Sequence, residues 1–416
     1  MPKVSINSDR LWATLMETAR FGGSEDGGVR RLALSEEDRQ VRDWLKEECL
    51  KLGCEVTVDG MGNMFAVLPG QSNDALPVAM GSHLDTQPTG GKFDGILGVL
   101  AGLEVMRTVR EQNITLHRPL ALVNWTNEEG ARFSPALIAS GAHAGVFPVE
   151  TVLATPDASG VTFGEALDAI GYRGDRPVGE MQFDAMFELH IEQGPILEAE
   201  GRTIGVVDGV QGISWFDIEV SGLSAHAGTT PMALRRDAFC SAADFTLAVR
   251  ALVLEENGFA TFGEFSIANA SRNVVPGHVR LTLDLRHPDD AARARVEERI
   301  AELCRHPRYA GTPIKVTRIW NSPAVHFDAG CVAAVATAAD ANGLSSRRMV
   351  SGAGHDAVYA SKIAPTSMIF IPCKDGISHN PIESATQADC AAGTQVLFDA
   401  VIGRAVTREI GEEARP

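Results

Sequence analysis

The sequence of 416 residues lacks several features that would place it in special protein classes. It has no run of about 18 apolar residues, so no membrane span is expected, and no apolar segment near its start, so no signal peptide is expected. Its 41 glycines follow no G-X-Y repeat, which excludes collagen. The composition is therefore that of an ordinary folded protein, long enough for two domains.

Cysteine pairs and basic residues are also scarce. The seven cysteines are an odd number and include no C-x-x-C pair, which indicates reduced thiols and a cytoplasmic location. Lysine and arginine number 37 against 54 aspartates and glutamates, which gives a net charge of −17. A surface this acidic repels phosphate backbones, which argues against nucleic acid as a partner.

Continuous apolar runs, separated by helical stretches, predict a mostly parallel sheet in an α/β domain. The strand-like runs cover residues 120–125, 185–191 and 366–371, and polar residues follow each of them within a few positions. The second run also contains Glu188 and His190, which share one face of the strand. Strands that are buried on both faces have this composition, and such sheets bind ligands at the carboxyl ends of their strands. Functional side chains are therefore expected just after these runs.

The middle of the chain has a different pattern. Residues 213–220 and 279–286 alternate apolar and polar side chains, which predicts an antiparallel sheet that is covered on one face. Helical stretches near 231–256 and 289–305 can supply this cover.

The two patterns together predict two domains. We expect a catalytic α/β domain at 1–211 and 329–416, and an inserted α+β lid or dimerisation domain at 212–328. The antiparallel sheet of the inserted domain has an exposed edge strand, which invites pairing and favours a homodimer.

Four polar clusters follow the predicted core strands. They are Gly81-Ser-His83-Leu-Asp85-Thr86 with Asp94, Glu128-Glu129, Glu188-Leu-His190-Ile-Glu192, and Ser378-His379-Asn380-Pro381. Histidines and carboxylates without cysteine suit Zn, Mn, Co or Ni. Each cluster alone also fits a plainer role, since Asp94 can cap the following helix and the glutamate pair can lie in a solvated loop.

Two of these clusters suggest specific roles. His83 and Asp85 share one face of a strand end, so Asp85 can hold the tautomer and orientation of the His83 ring. Of the adjacent Glu128 and Glu129, one can bind a metal ion while the other acts as general base on water.

With these clusters in place, the sequence resembles the M20-type metallopeptidase superfamily, and within it the hydantoinase/carbamoylase amidases. The matching segments are GSHLDTQPTGGKFDGILGV, NEEGARF, ELHIEQGP, SGLSAHAGTTPM, NVVPG, LDLRHP, SGAGHDA and GISHNPIE. They occur in the family's order between residues 81 and 383, which is most of the chain.

The resemblance implies a site for two divalent metal ions, with Zn expected first and Mn, Co or Ni as alternatives. Asp94 would bridge both ions. The remaining ligands would be His83, His190, Glu129 and His379. Glu128 would be the general base and Asp85 would orient His83. The family also often has a cis peptide bond after the bridging aspartate, here Asp94-Gly95.

The resemblance also implies the substrate contacts. His226 would reach the active site of the partner subunit of a homodimer and stabilise the oxyanion. Asn273 and Arg286 would bind the substrate carboxylate, for which the polar strand face leaves the Arg286 guanidinium free. Further contacts would come from Gln193, Gly354 and His355. A structural hydrogen bond would explain His355 and Asp356 equally well.

The implied activity is hydrolysis of the carbamoyl C–N bond of N-carbamoyl-L-amino acids to the amino acid, carbon dioxide and ammonia. N-carbamoyl-β-alanine and allantoate are alternative substrates, because each offers a carboxylate to Arg286 and a ureido group to the metal site. A non-catalytic metal-binding scaffold is the remaining alternative, and the intact Glu128 argues against it.

Overall fold

The computed structural model describes residues 4–72 and 74–406, and the chain divides into two compact units. Met1–Asp208 with Phe327–Pro416 form the first unit and Gly209–His326 form the second. The second unit begins and ends two to three residues before the expected boundaries of 212 and 328. Gly209 and Val210 already pair with His326 and Val325, respectively. Within the described ranges, no helix is both long and apolar enough to cross a membrane.

The strands are numbered β1 to β16 in chain order. They cover Glu55–Val58, Met64–Leu68, Val78–His83, Leu120–Trp125, Ala185–Ile191, Ile204–Val210, Gly212–Ser221, Ala225–His226, Phe259–Thr261, Phe265–Ile267, Val274–Val275, His278–His287, Ile314–Ser322, Val325–His326, Ser346–Ser351 and Thr366–Ile371.

The α-helices are numbered α1 to α12 in the same way. They cover Ser8–Thr18, Glu36–Lys51, Ile96–Glu111, Ile138–His143, Val149–Leu153, Phe163–Ile170, Ile196–Glu200, Ala238–Glu255, Asp290–Cys304, Ala329–Ala341, Ala357–Ala360 and Gln387–Val406.

The sheet of the first unit has a parallel centre. Its strand order is β1-β2-β4-β3-β5-β16-β6, and β15 also pairs with β6. The pairs β4–β3, β3–β5 and β5–β16 are parallel, whereas β1–β2, β2–β4 and β16–β6 are antiparallel. Every residue of β4, β5 and β16 is buried, which explains why most of their residues are apolar.

Helix α3 follows β3 and is buried along most of its length, with 13 of its 16 residues inside the core. A helix that is apolar on all sides can be stable only in such a place. The one carboxylate among these buried residues, that of Glu104, accepts the main-chain N–H of Asn7 at 3.0 Å and forms an ion pair with Arg10. The loop before α3, which contains Asp94, is therefore attached to a rigid part of the core.

The second unit has a separate antiparallel sheet of order β10-β12-β7-β13, with β9 pairing to another part of β12. The alternate residues Val279, Leu281, Leu283 and Leu285 of β12 are buried in a core with residues of α8 and α9. A short antiparallel pair, β8–β11, carries His226. The predicted fold class, a mostly parallel α/β sheet plus a separate antiparallel α+β unit, is confirmed.

The helix expected near 231–256 begins later than its pattern predicts. Residues Met232–Leu234 form only a single 3-10 turn, and α8 starts after Asp237. The Asp237 carboxylate accepts the N–H groups of Phe239 and Cys240, so it caps the helix at this position.

Candidate active site

Four neighbouring parallel strands, in the order β4-β3-β5-β16, end at one edge of the first sheet. The polar residues at or just after their ends converge there, as expected for an open α/β sheet. The side chains brought together in this way are those of His83, Asp94, Glu128, Glu129, His190 and His379.

Asp94 lies at the centre of this group. Its Oδ1 is 3.1 Å from Nε2 of His190 and 3.7 Å from Nε2 of His83. Its Oδ2 is 3.4 Å from Nε2 of His379. Burial alone would raise the pKa of Asp94, but contacts with His190 and His379 hold it well below the ordinary value. Asp94 is therefore an anion surrounded by imidazoles.

Among the described residues, three groups of side chains have ligand atoms close enough to hold a metal ion, within 4.8 Å of one another. The groups are His83 with Asp94 and His190, Asp94 with Glu129 and His379, and Glu188 with His190 and His355. The first two share Asp94, which gives it the position of a bridge. The third group shares His190 with the first and belongs to the same cluster.

The ring orientations of two histidines fit a cation. Nδ1 of His83 lies 2.9 Å from the carbonyl oxygen of Asp85, and Nδ1 of His190 lies 2.9 Å from that of Ile191. A carbonyl oxygen only accepts, so each Nδ1 carries a proton, and in the neutral form of each ring the lone pair is on Nε2. In the part of the chain that is described, Nε2 of His83 is buried without a hydrogen-bond partner.

The pKa shifts of the same two histidines reflect this arrangement. Burial lowers the pKa of His83 to about 4, so its ring is neutral near pH 7. Burial would also lower the pKa of His190, but the contact with Asp94 raises it to about 9. Nε2 of His190 therefore binds a proton in the absence of metal. A divalent cation would compete with this proton for the same lone pair.

Asp85 does not have the predicted contact with His83. Its carboxylate is 3.9 Å from Nδ1 of His83, which is held instead by the Asp85 carbonyl oxygen. The carboxylate accepts the main-chain N–H groups of Glu128 at 3.2 Å and Glu129 at 3.3 Å. Two main-chain donors in one turn attract the carboxylate more strongly than one ring N–H that already has an acceptor. Asp85 thus fixes the turn that carries the glutamate pair.

The adjacent glutamates face different partners. Oε2 of Glu128 is 3.5 Å from Nε2 of His83, whereas Oε2 of Glu129 is 3.5 Å from Nε2 of His379. Glu129 also accepts hydrogen bonds from Gln87. Burial, and after it the neighbouring Glu129, raises the pKa of Glu128 well above the ordinary value. This environment favours the protonated form of Glu128, which suits a group that accepts a proton in a reaction.

Gln193, Gly354 and His355 lie near this cluster in different ways. The Gln193 amide donates to Oδ2 of Asp94 at 2.8 Å, and its Oε1 is one of the buried atoms without a partner among the described residues. Gly354 is exposed. His355 is buried, contacts Ser351 Oγ at 3.0 Å and packs against the ring of His190. These contacts of His355 match the structural alternative, and Asp356 is buried beside it at the start of α11.

The other predicted substrate residues lie in the second unit. His226 is exposed, and its Nδ1 accepts the main-chain N–H groups of Gly228 and Thr229 at 3.1 and 3.2 Å. Asn273 is an exposed residue before β11. The Arg286 guanidinium is not free as the strand pattern suggests, because Nε and Nη2 contact the Asp284 carboxylate at 2.9 and 2.7 Å. Asp284 lies two residues earlier on the same strand face, so the two charges meet.

The predicted cis peptide bond at Asp94-Gly95 is absent, and among the described residues the cis bond is Ser134-Pro135. Gly95 has φ +67° instead, a conformation that glycine adopts without steric cost. This turn brings the Gly95 N–H to 3.2 Å from Nε2 of His190.

Glu383 lies in the segment GISHNPIE, and no role is predicted for it from the sequence. Its carboxylate accepts the N–H groups of Phe93 and Asp94 and contacts Ser378. Burial, and after it Asp94, raises the pKa of Glu383 to about 7. The signal in the sequence is an acidic residue four positions after His379.

We expect the metal-free protein to lose stability as the pH rises from about 6.5 to about 9, because burial raises the pKa of Glu383 to about 7 and contact with Asp94, against burial, raises that of His190 to about 9. Burial, and then neighbouring carboxylates, raises the pKa of both Glu128 and Glu129 well above the ordinary value. Above the unfolded pKa of about 4.3, the folded chain holds protons that the unfolded chain releases, so a higher pH favours unfolding. The urea midpoint, measured with a chelator present, should fall across this window.

Two controls accompany this measurement. A divalent cation replaces the bound protons and should reduce the dependence on pH. Glu128→Gln removes one of the titrating carboxyl groups and should give a shallower slope in chelator. A urea midpoint of the metal-free protein that stays constant or rises across the window would contradict the expectation.

Comparisons with known proteins agree with this geometry. Residues 79–402 match the model of the family described as peptidase family M20/M25/M40. A relative from Rhizobium meliloti, named N-carbamoyl-L-amino-acid amidohydrolase, is 45% identical over 403 residues, covering 95% of this chain and 96% of that protein. A more distant relative from Oryza sativa subsp. japonica, named ureidoglycolate hydrolase, is 34% identical over 404 residues, covering 94% of this chain and 84% of that protein.

A solved structure extends the similarity to the fold. The crystal structure of an amidase of the hydantoinase/carbamoylase family from Burkholderia multivorans has a TM-score of 0.95 and 48% identity to this chain. The match covers 98% of this chain and 100% of that chain. The chain therefore belongs to peptidase family M20/M25/M40, in its hydantoinase/carbamoylase branch.

Proposed function

We propose that this protein hydrolyses the carbamoyl C–N bond of N-carbamoyl-L-amino acids to the amino acid, carbon dioxide and ammonia. The observation that carries the proposal is the arrangement around Asp94, where two candidate ligand groups share one carboxylate and Glu128 lies beside them. The 45% identity with the relative named N-carbamoyl-L-amino-acid amidohydrolase supports the choice of substrate over allantoate, N-carbamoyl-β-alanine or ureidoglycolate.

Two divalent cations per chain fit the ligand groups. His83, Asp94 and His190 would hold one, and Asp94, Glu129 and His379 would hold the other. Imidazole nitrogens with carboxylate oxygens favour Zn first, with Mn, Co or Ni as alternatives. When bound, such ions lower the pKa of water and polarise the carbonyl oxygen that is attacked.

Glu128 moves the proton in the proposed reaction. It takes one proton from the attacking water, whose oxygen forms a bond with the carbamoyl carbon. It then gives this proton to the leaving nitrogen as the C–N bond breaks, so that ammonia departs. The N-carboxylated amino acid that remains loses carbon dioxide. The raised pKa of Glu128 suits both transfers, because the group must accept and release a proton near neutral pH.

His226 would supply a hydrogen-bond donor to the oxyanion. Because Nδ1 accepts from Gly228 and Thr229, the proton of the neutral ring is on Nε2. An exposed ring with a fixed tautomer can donate this N–H to a negative oxygen without rearranging. From the resemblance we propose that the oxygen belongs to a substrate bound in the partner subunit.

A second copy of the chain is the partner that the surface of the second unit fits. On α8 the apolar residues Phe239, Leu247 and Leu254 are 42%, 67% and 58% exposed. Phe265 of the edge strand β10 packs against Phe239, with ring centroids 5.8 Å apart. An apolar helix stripe beside an unpaired strand edge favours a symmetric pairing in which each copy covers the other.

His226→Ala should lower kcat by about a hundredfold, the usual cost of losing one oxyanion donor. Metal content and unfolding temperature should not change, because the side chain is exposed. His306→Ala is the matched control, since His306 is also exposed and its Nδ1 also accepts a main-chain N–H. Steady-state kinetics of the two variants, each saturated with metal, gives the comparison.

Mixing two inactive variants tests whether His226 acts across subunits. When His226→Ala and Glu128→Gln chains are refolded together, random pairing makes half of the dimers mixed, and each mixed dimer has one complete site. Activity should then return to about a quarter of the unsubstituted level. If His226 served its own chain, no site in the mixture would be complete and no activity would return.

Arg286 would bind the substrate carboxylate. Its guanidinium already holds the Asp284 carboxylate through two nitrogens, a geometry that suits any carboxylate. A substrate would therefore compete with Asp284 or share the guanidinium with it. Asn273 would assist from the segment before β11, whose residue Val274 pairs with His226.

A substrate panel tests the proposed function. Chelator-stripped protein is reloaded with Zn, Mn, Co or Ni, and ammonia release is measured with N-carbamoyl-L-amino acids, N-carbamoyl-β-alanine, allantoate and ureidoglycolate. Cleavage of a dipeptide, which releases no ammonia, is measured by the free amino acids that it gives. An N-carbamoyl-L-amino acid amide, which lacks the free carboxylate, tests the role given to Arg286. Turnover of N-carbamoyl-L-amino acids that needs metal, and a weaker turnover of the amide, is the expected result.

Other results would change the assignment in distinct ways. Faster turnover of allantoate, ureidoglycolate or N-carbamoyl-β-alanine would keep the chemistry and replace the substrate. Cleavage of the dipeptide alone would place the chain with the peptidases of its family. No turnover with any metal would support a metal-binding scaffold instead of an enzyme.

A further inference from the structure

The Glu383 carboxylate, which the mechanism above does not use, joins the two loops that carry Asp94 and His379. Its Oε1 accepts the main-chain N–H groups of Phe93 and Asp94, both at 3.1 Å. Its Oε2 lies 2.8 Å from Oγ of Ser378, the residue before His379. Glu383 is only 4% exposed, so these contacts replace the water that its carboxyl group would otherwise keep.

The Ser378 hydroxyl extends this connection to the Asp94 side chain. Its Oγ lies 2.8 Å from Oδ2 of Asp94, the same oxygen that is 3.4 Å from Nε2 of His379. Asp94 is thus held twice, at its main-chain N–H by Glu383 and at its carboxylate by Ser378. Both contacts depend on one buried side chain that comes from a distant part of the chain.

The loop before Asp94 is packed directly against the same carboxylate. A Cβ atom added at Gly91 would lie 2.1 Å from Oε1 of Glu383. Any side chain at Gly91 would therefore push the carboxylate away from the N–H groups of Phe93 and Asp94. Glycine at this position allows the close approach on which the two hydrogen bonds depend.

We propose that Glu383 is a positioning residue that sets the distance between Asp94 and His379, and with it the affinity for the cation these two residues share. The inference rests on the proposed function only in taking Asp94 and His379 as ligands of one ion. Partners behind metal ligands fix their orientation, and the loss of such a partner typically weakens metal binding by about 10- to 100-fold.

Two substitutions separate the position of the carboxylate from its charge. Glu383→Gln keeps the length of the side chain and removes the charge. Its amide oxygen can accept the same two N–H groups, and its NH₂ can donate to Ser378, which then donates to Asp94. Glu383→Asp keeps the charge but is shorter by one carbon–carbon bond of about 1.5 Å, so it cannot reach both loops.

Metal binding is measured on stripped protein, without substrate, by competition with a chromophoric chelator for Zn and by the visible absorption of bound Co. We expect Glu383→Asp to weaken the second equivalent of metal by about 10- to 100-fold and to alter the Co spectrum. We expect Glu383→Gln to stay within about threefold of the unsubstituted protein, because its hydrogen bonds are kept.

Glu104→Gln and Glu104→Asp are the matched controls. Glu104 is also a buried glutamate that accepts a main-chain N–H from a distant segment, but it lies on α3 and contacts Asn7 and Arg10 instead of the loops that carry Asp94 and His379. Both control variants should bind two equivalents with unchanged affinity. Weakened metal binding in these controls would mean that any buried glutamate of this unit has the same effect, which would overturn the inference.

Two further outcomes would also overturn it. One is a Glu383→Asp variant that binds both equivalents as tightly as the unsubstituted protein. The other is a larger loss in Glu383→Gln than in Glu383→Asp, which would make charge the cause. If Glu383→Asp does not fold, Gly91→Ala replaces it, and undiminished affinity in that variant counts against the inference.

The inference and the proposed function can fail separately. If no substrate of the panel is turned over, the proposed function fails, and the metal affinities of the Glu383 variants still decide the inference. If the panel is turned over but these affinities do not change, the inference fails and the function stands.

Discussion

Glu128→Gln is expected to lower kcat by about a thousandfold while the protein still binds two metal ions, because a general base contributes about 10²- to 10⁴-fold to such a reaction. Glutamine has nearly the same shape but cannot hold the proton of the attacking water. Oε2 of Glu128 is 3.5 Å from Nε2 of His83. Glu128 belongs to neither of the two ligand groups that share Asp94. The loss should therefore fall on kcat rather than on metal content.

The neighbouring Glu129→Gln is the matched control for this variant. Glu129 belongs to the ligand group of Asp94 and His379, so its loss should weaken metal binding and leave activity partly recoverable at high metal concentration. Kinetics and metal analysis of both variants should separate the two roles. The assignment of Glu128 as the base would be wrong if Glu128→Gln kept activity within tenfold of the unsubstituted protein. It would also be wrong if this variant lost its metal.

Asp94→Ala is expected to abolish binding of both cations and to lower activity by about a thousandfold or more, because water is then not activated at neutral pH. This carboxylate is the only ligand common to the two groups proposed to hold the ions. Removing it leaves His83 and His190 on one side and Glu129 and His379 on the other, with two ligands each. Metal analysis after dialysis against buffer gives the bound stoichiometry directly.

Asp59→Ala is a suitable comparison for Asp94→Ala. Asp59 is fully buried in the same unit and accepts the main-chain N–H groups of Met61 and Asn63. Its loss should reduce stability without changing the metal stoichiometry. Retention of one tightly bound ion in Asp94→Ala would show that Asp94 is a ligand of a single ion and not a bridge.

The buried strands could be predicted closely from the sequence. The runs 120–125, 185–191 and 366–371 coincide with β4, β5 and β16, because strands covered on both faces consist mostly of apolar residues. The convergence of the polar clusters follows from the same prediction, since parallel neighbours end at one edge. The starts of helices were less predictable, and α8 begins at Ala238 because a cap, and not the apolar pattern, determines it.

The contacts of individual side chains could not be predicted from spacing. The two-residue spacing places Asp85 beside His83, but it does not determine whether the carbonyl or the carboxylate of Asp85 takes the ring N–H. The polar strand face exposes Arg286, but it also exposes Asp284, which occupies the guanidinium. The main-chain N–H groups that Glu383 accepts belong to residues 289 and 290 positions away in sequence, so no local pattern contains them.

The hydrogen bonds from Nδ1 of His83 and His190 to main-chain carbonyl oxygens affect how the protein tolerates mutation. Every residue type has a carbonyl oxygen, so substitutions at Asp85 or Ile191 leave the acceptor in place. In proteins where a carboxylate side chain orients the ring, one base change can remove the acceptor. Here the acceptors that fix the tautomers of His83 and His190 belong to the main chain, so a change of side chain does not remove them. Random mutagenesis should therefore find metal-binding defects at the ligands and at Glu383, few at Ile191, and at Asp85 only through the turn that its carboxylate holds.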